Sequence, residues 1–321
     1  MRLKKLIAAL FASSLLFSVV FAEEEKSPWA FSIKTDLAYY PKSNYIAGPS
    51  HFAPITGPYS GIEGRVTGYA TYSIPTPLGE HWLVSGAKVN LTGSFELTPV
   101  SLKPGAQVSF TPLPFLVFAA GAEAGTGWTL LGLKGMSAFD GPAAGTYTNY
   151  TAFKDWIYKW YVQGTFQFDT GAIWKGDWTH FQIMYTYQLY YEAITAASKG
   201  DVWMWQCTGN KTNGFKNYQS LVLAYQMPLV ISRVGVLFEL EGHYVNSYRN
   251  EAYKGDFKEI SIGPMAQFSF GKHDVLTVLF GFSSRRSFEQ THTKDTEETA
   301  LTYSGYEWYF KRLALSWTHT F

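Results

Sequence analysis

From residue 29 to its end the chain alternates apolar and polar positions with a period of two, the spacing that puts successive side chains on opposite faces of a β-strand. The stretch "FQIMYTYQLYYE" shows the pattern. Phe181, Ile183, Tyr185, Tyr187, Leu189 and Tyr191 share one face, and Gln182, Met184, Thr186, Gln188, Tyr190 and Glu192 share the other. The same alternation predicts 12 strands, at 29–40, 62–74, 81–97, 102–112, 116–128, 156–173, 178–192, 217–227, 234–248, 257–270, 276–287 and 303–321. Most are about 11–19 residues long, against about 5–6 for an ordinary globular strand and about 9–11 for a tilted membrane-spanning one.

The connections alternate as well. After the even-numbered strands they are tight and rich in turn residues: "PTPLGEH", "PLP", "KGD", "MPLVIS" and "GKHD". After the odd-numbered strands they are long, at 41–60, 129–155, 193–216, 246–256 and 288–302, with only 98–101 short. Short turns at one end and long loops at the other predict an all-β fold. It is a single antiparallel up-and-down transmembrane β-barrel of about 12 strands, with both termini on the turn side.

Composition sharpens this picture. Aromatic residues make up 18% of the chain, with 22 tyrosines and 11 tryptophans. Trp82, Trp174, Trp178 and Trp317 fall near the turns and Trp128, Trp156, Trp160 and Trp308 near the loops, as the two interfacial belts of a barrel require. Beyond the N-terminal segment there is no long apolar run, so hydropathy alone reads the chain as soluble. A barrel defeats that reading, because its strands are apolar only at every second position.

The N-terminus carries Arg2, Lys4 and Lys5, an apolar run over 6–21 and the sequence Val20-Phe21-Ala22, the layout of a secretory signal peptide cleaved after Ala22. The expected domains are a signal peptide at 1–22 and a barrel at 23–321. A net charge of +1 argues against a general attraction to nucleic acid. The single cysteine, Cys207, excludes an internal disulfide and reads as a loop thiol.

A signal peptide, alternating strands throughout and a last strand, "LALSWTHTF", ending on an aromatic residue together resemble the bacterial outer-membrane β-barrel proteins. The resemblance covers the whole mature chain as architecture and matches no subfamily motif. It implies an outer-membrane location, lipid as the surroundings, and a C-terminal strand that the barrel assembly machinery recognises. Phe321, Trp317, Leu315 and Leu313 match that signal; His319 departs from it, because an apolar or aromatic residue usually stands there.

With the apolar faces toward lipid, the polar faces line a lumen. Its expected lining is Lys34, Asp36, Glu63, Arg65, Lys88, Glu123, Lys159, Asp169, Glu239, Glu241, His243, Glu259, Arg285 and Arg312, joined by Lys103, Glu192 and His180. Charge in a strand is costly against lipid and tolerable in a polar interior. The nearly balanced signs fit a closed barrel filled by a hydrogen-bonded ion network or, the favoured reading, a passive channel or uptake porin for small hydrophilic solutes, with 132–151 as the candidate for an inward-folded loop. The alternative is a structural or surface-interaction barrel with a plugged lumen, in which "WMWQ" (203–206) contacts a partner or folds onto the rim. A membrane-embedded hydrolase is the third reading. Glu239, Glu241 and His243 share one face of one strand, but residues two apart need help from a neighbouring strand to chelate or exchange a proton. His51 and His292 fall in long loops as solvated residues, and no P-loop, HExxH, GxSxG or CxxC motif is present. No catalytic residue, cofactor or metal is expected, and the oligomeric state is left open.

Overall fold

A computed structural model of the protein describes residues 27–321, apart from Pro142, Ala143, Gly145, Cys207, Arg249 and Lys294. The signal-peptide segment 1–22 and Cys207 lie outside the described residues. The long strands are β1 (Trp29–Ser43), β2 (Ile55–Pro75), β3 (Lys88–Thr98), β4 (Ser101–Leu113), β5 (Leu116–Gly127), β6 (Ile157–Asp169), β7 (His180–Ile194), β8 (Gly214–Gln226), β9 (Ile231–His243), β10 (Glu259–Phe270), β11 (Asp274–Phe288) and β12 (Tyr303–Thr320). Each pairs antiparallel with the next, and β12 returns to β1, with Ser32 opposite Thr320 and Tyr39 opposite Leu313. The result is a closed 12-strand barrel with no free edge.

The register sorts side chains as the alternation requires. Phe31, Ile33 and Leu37 on β1, Leu91 and Phe95 on β3, Val162 and Phe166 on β6, and Leu315 and Trp317 on β12 are exposed on the outer surface. Their polar neighbours Lys34, Asp36, Thr92, Gln163 and Ser316 turn inward. Exposed apolar side chains around the whole circumference invert the usual order of a soluble protein and suit contact with lipid tails. Trp82, Trp174, Trp178 and Trp317 are exposed near the turn end, and Trp160 on the outer face toward the loops.

Three features depart from the alternation. First, β3 begins at Lys88, not near residue 81: Val84 and Ser85 donate their backbone N–H groups to the His81 carbonyl (both 2.9 Å), which uses donors a strand ladder would need. The links 76–87 and 170–179 are therefore longer than the tight turns expected, the second built on a 3₁₀ turn capped by the Asp169 side chain. Second, β12 carries a bulge. Gly281 faces Arg312 while Phe282 faces Phe310, leaving Lys311 as an extra residue. Below the bulge Ala314, Ser316 and Thr318 point inward; above it the parity flips, so Glu307 points inward and Trp308 outward. Third, beyond Tyr39 β1 leaves β12, and the short strand His51–Phe52 takes its place, pairing parallel with Glu307 and Trp308. The β1–β2 loop thus closes the upper seam.

Candidate functional site

The interior is built around a girdle of charges of mostly alternating sign, nearly one to a strand. Register sets it: Asp36 lies opposite Arg65, Glu96 opposite Lys103, Glu123 opposite Lys159 and Lys159 opposite Glu192. Arg65 donates to Asp36 at 2.7 Å and lies 3.5 Å from Glu96, and Lys34 lies 3.6 Å from Asp36. Lys103 reaches Glu123 at 2.8 Å and Glu96 at 3.9 Å. Glu192 takes Lys216 at 2.5 Å and Lys211 at 3.3 Å. Further round, Glu259 meets Lys311, and Arg285 meets the buried Glu307. Cross-strand opposite charges in a partly dehydrated lumen attract more strongly than at a surface, while each would be costly alone.

Below the girdle on β6–β8 stands a shelf of Tyr161, Tyr190 and Tyr218. Their hydroxyls donate to Gln107 (2.7 Å), Glu241 and Glu239 (2.7 Å) respectively. Gly121 is the condition for this shelf, because a Cβ there would stand 2.5 Å from the Tyr161 ring. Lower still, the inward residues of β7–β12 turn apolar: Met184, Val222, Ala224, Leu237, Met265, Leu279 and Ala314 pack into one buried cluster, with Ala38 of β1 against it. The lumen is therefore not polar throughout. Inward positions of β7–β12 are mostly buried, whereas Arg65, Tyr69, Thr92, Ser94, Lys103, Gln107 and Glu123 on β2–β5 keep partial exposure.

The remaining expected lumen residues fall on inward positions but not in one place. Glu63 accepts from the Tyr40 hydroxyl at 2.6 Å, and Arg312 lines a small recess with Glu239 and Lys311. Lys88, opposite Pro75, and Asp169, 2.9 Å from His180, stand at the turn end away from the girdle. Glu239, Glu241 and His243 do not converge. The two carboxylates go to different tyrosines, and His243 is buried edge-on against Tyr248 (5.2 Å). Among the described residues no group of His, Cys, Asp and Glu is placed to hold a metal.

Sequence reasoning left out Lys211, Lys216, Glu307 and Lys311. Lys216 is the third residue of β8, which starts earlier than the alternation suggested, at Gly214. Glu307 and Lys311 were hidden by the bulge. The adjacent pair Lys311-Arg312 within a span was the available signal, since strict alternation would put one of the two charges into lipid.

The loops form a lid. Met136–Phe139 and Tyr147–Asn149 from the β5–β6 loop join Trp203–Trp205 and Thr208–Lys211 from the β7–β8 loop in a small four-stranded sheet. Trp203 and Trp205 are buried with Met136, Ile157 and Ile194, so "WMWQ" lies on the rim and is not an exposed partner patch. Gln206 reaches down to Ser101 (2.8 Å) and Glu96 (3.3 Å). Gln206 and Lys211 thus reach toward the girdle, while Met136 of the segment expected to fold inward, 132–151, packs against Trp203 and Trp205. A second loop cluster joins Tyr248, Tyr253 and Phe288, with Arg286 stacked 4.0 Å over the Tyr253 ring. Burial pushes the Tyr248 hydroxyl up to about 12, which keeps it neutral. The loop histidines are engaged: His51 Nε2 is 2.7 Å from Glu307, and His292 stacks 4.3 Å from Tyr45 and lies 3.2 Å from Glu298.

Beneath the lid is a cavity of about 220 Å³ lined by Arg65, Lys103, Lys159, Lys211, Glu96, Glu123 and Glu192, with Ile157, Tyr158, Trp205 and Gln206. At the other end Phe321 is exposed and its backbone N–H donates to Phe31 at 3.0 Å, tying the last residue to β1. His319 points outward, 2.8 Å from Asp274, which also accepts from the Trp317 indole at 3.0 Å. A hydrogen-bonded imidazole thus occupies the position where an apolar residue was expected.

Closed strand pairing, an apolar exterior and a charged interior define an integral outer-membrane-type β-barrel. Among solved structures the chain is similar to an outer-membrane channel from Pseudomonas putida, at 8% identity and a TM-score of 0.44 over 93% of this chain and 97% of that one. It is also similar to the KdgM porin, at 10% identity and a TM-score of 0.37 over 90% and 99% of the two chains. The β-domain of a Bordetella autotransporter gives 10% and 0.41 over 91% and 99%. No family model and no curated sequence matches it.

Proposed function

We propose that the protein is an outer-membrane channel for small hydrophilic solutes, with an off-centre path along the β2–β6 wall. One observation carries this reading. Arg65, Tyr69, Thr92, Ser94, Lys103, Gln107 and Glu123 on the inward side of β2–β5 stay partly exposed, with opposite charges paired among them, while most inward positions of the facing β7–β12 wall are packed. Opposed charges across a narrow path set a transverse field that favours polar solutes and tunes which pass. Twelve strands also exceed the eight or so that side chains alone fill. The purified barrel in a planar bilayer should give discrete current steps in potassium chloride. A preparation that shows the size shift of a folded barrel before boiling yet passes no current would overturn the channel. It would favour the second reading, a structural or surface-interaction barrel, which the packed wall and the lid support.

Export through the 1–22 signal and recognition of the last strand by the assembly machinery belong to the same proposal. Deleting Phe321 should lower the folded, membrane-inserted fraction in cells several-fold while leaving refolding into detergent unchanged. Equal losses in both settings would assign Phe321 to barrel stability.

A further inference from the structure

The charges around the cavity under the lid do not cancel. Four cations and three carboxylates line it. Three of the cations are matched: Arg65 with Asp36 and Glu96, Lys103 with Glu123, and Lys211 with Glu192. Lys159 differs. Its two cross-strand neighbours, Glu123 and Glu192, are engaged by Lys103 on one side and by Lys211 and Lys216 on the other. Among the described residues the Lys159 amino group makes no ion pair. It is held over the rings of Tyr190 (4.4 Å to the centroid) and Tyr161 (5.4 Å). An aromatic face steadies an ammonium through its quadrupole but carries no net charge to neutralise it. Lys159 is also partly exposed, so its charge is presented to the cavity without being hidden in the wall.

We propose that this cavity is a binding site for a small carboxylate solute, with the Lys159 ammonium, held against the Tyr190 and Tyr161 rings, taking the carboxylate. The inference rests on the channel reading for its place in transport, but the site itself stands on the cavity. Gln206 adds an amide beside the charged wall, and the volume of about 220 Å³ accommodates a small molecule. The uncancelled positive charge of Lys159 selects an anion over a neutral analogue, because only the anion repays the dehydration of Lys159.

The test is calorimetric titration of the refolded full-length barrel with sodium benzoate, using benzyl alcohol as the neutral isostere. Benzoate should bind saturably and benzyl alcohol roughly tenfold more weakly or not at all. Lys159→Gln should weaken benzoate by roughly tenfold or more, and Glu123→Gln, which removes a competing negative charge, should tighten it. Absence of benzoate binding to the wild type, or equal binding to Lys159→Gln, would overturn the site. Should Lys159→Gln fail to fold, Glu123→Gln decides: tighter binding supports the site and unchanged binding overturns it. Conductance is read separately. A barrel that passes current but does not bind benzoate loses this site and remains a channel; one that binds benzoate through Lys159 but passes no current keeps the site and loses the transport role.

Discussion

Replacing Trp203 with alanine should open the mouth of the barrel, raising single-channel conductance several-fold and exposing 199–213 to proteolysis, while the barrel stays folded. Trp203 is fully buried in the lid. Its indole N–H donates at 2.9 Å to Asn213, whose side chain also binds the backbone of Ile194 and Ala197. Lys211 and Lys216 lie over its ring. Removing a buried tryptophan typically costs about 3–5 kcal/mol, and the loop sheet has only short strands with which to absorb the loss. The β7 and β8 ladders do not depend on this side chain, so the damage should remain in the lid. Proteolysis that rises with no change in conductance would show that the lid does not limit the current.

The second large effect is expected at Glu307. Its carboxylate is buried at the upper seam, receives Arg285 and lies 2.7 Å from His51 Nε2. The other ring nitrogen, His51 Nδ1, lies 2.7 Å from the Pro49 carbonyl. Glu307→Ala would leave Arg285 and His51 without their carboxylate. Breaking a buried ion pair from one side costs about 3–5 kcal/mol. Urea unfolding should show that loss, together with early proteolysis within 44–54 as the short strand His51–Phe52 detaches from β12. The double variant Glu307→Ala/Arg285→Ala should lose clearly less than the sum of the two single variants, because the pair acts as a unit. Additive losses would mean that Arg285 is held mainly by its stacking on Tyr45 (4.0 Å) and Tyr309 (4.4 Å).

Both effects sit where the alternating pattern could not be followed. The pattern marked Asp36, Arg65, Glu123, Lys159, Glu239 and Glu259 as inward, and register places them on inward positions, because a side chain two residues along a strand returns to the same face. It offered nothing on which charge meets which. Arg65 could be assigned to Asp36 and Glu96 only once the offsets of β1, β2 and β3 were fixed. The apolar cluster was partly visible as Met184 and Leu237 on otherwise polar faces, but its continuity across six strands appears only when the barrel closes.

The sequence by itself determined the all-β class, the span of most strands and closure of the barrel through the final strand. All of these follow from a period of two and from the cost of charge in lipid, which are local rules. Only the tertiary structure decided the bulge at Lys311, the burial of Glu307, the seam strand His51–Phe52 and the lid that brings Trp205 and Gln206 over Lys159. One extra residue reverses the parity of everything above it, and loops meet through contacts that no periodic pattern records.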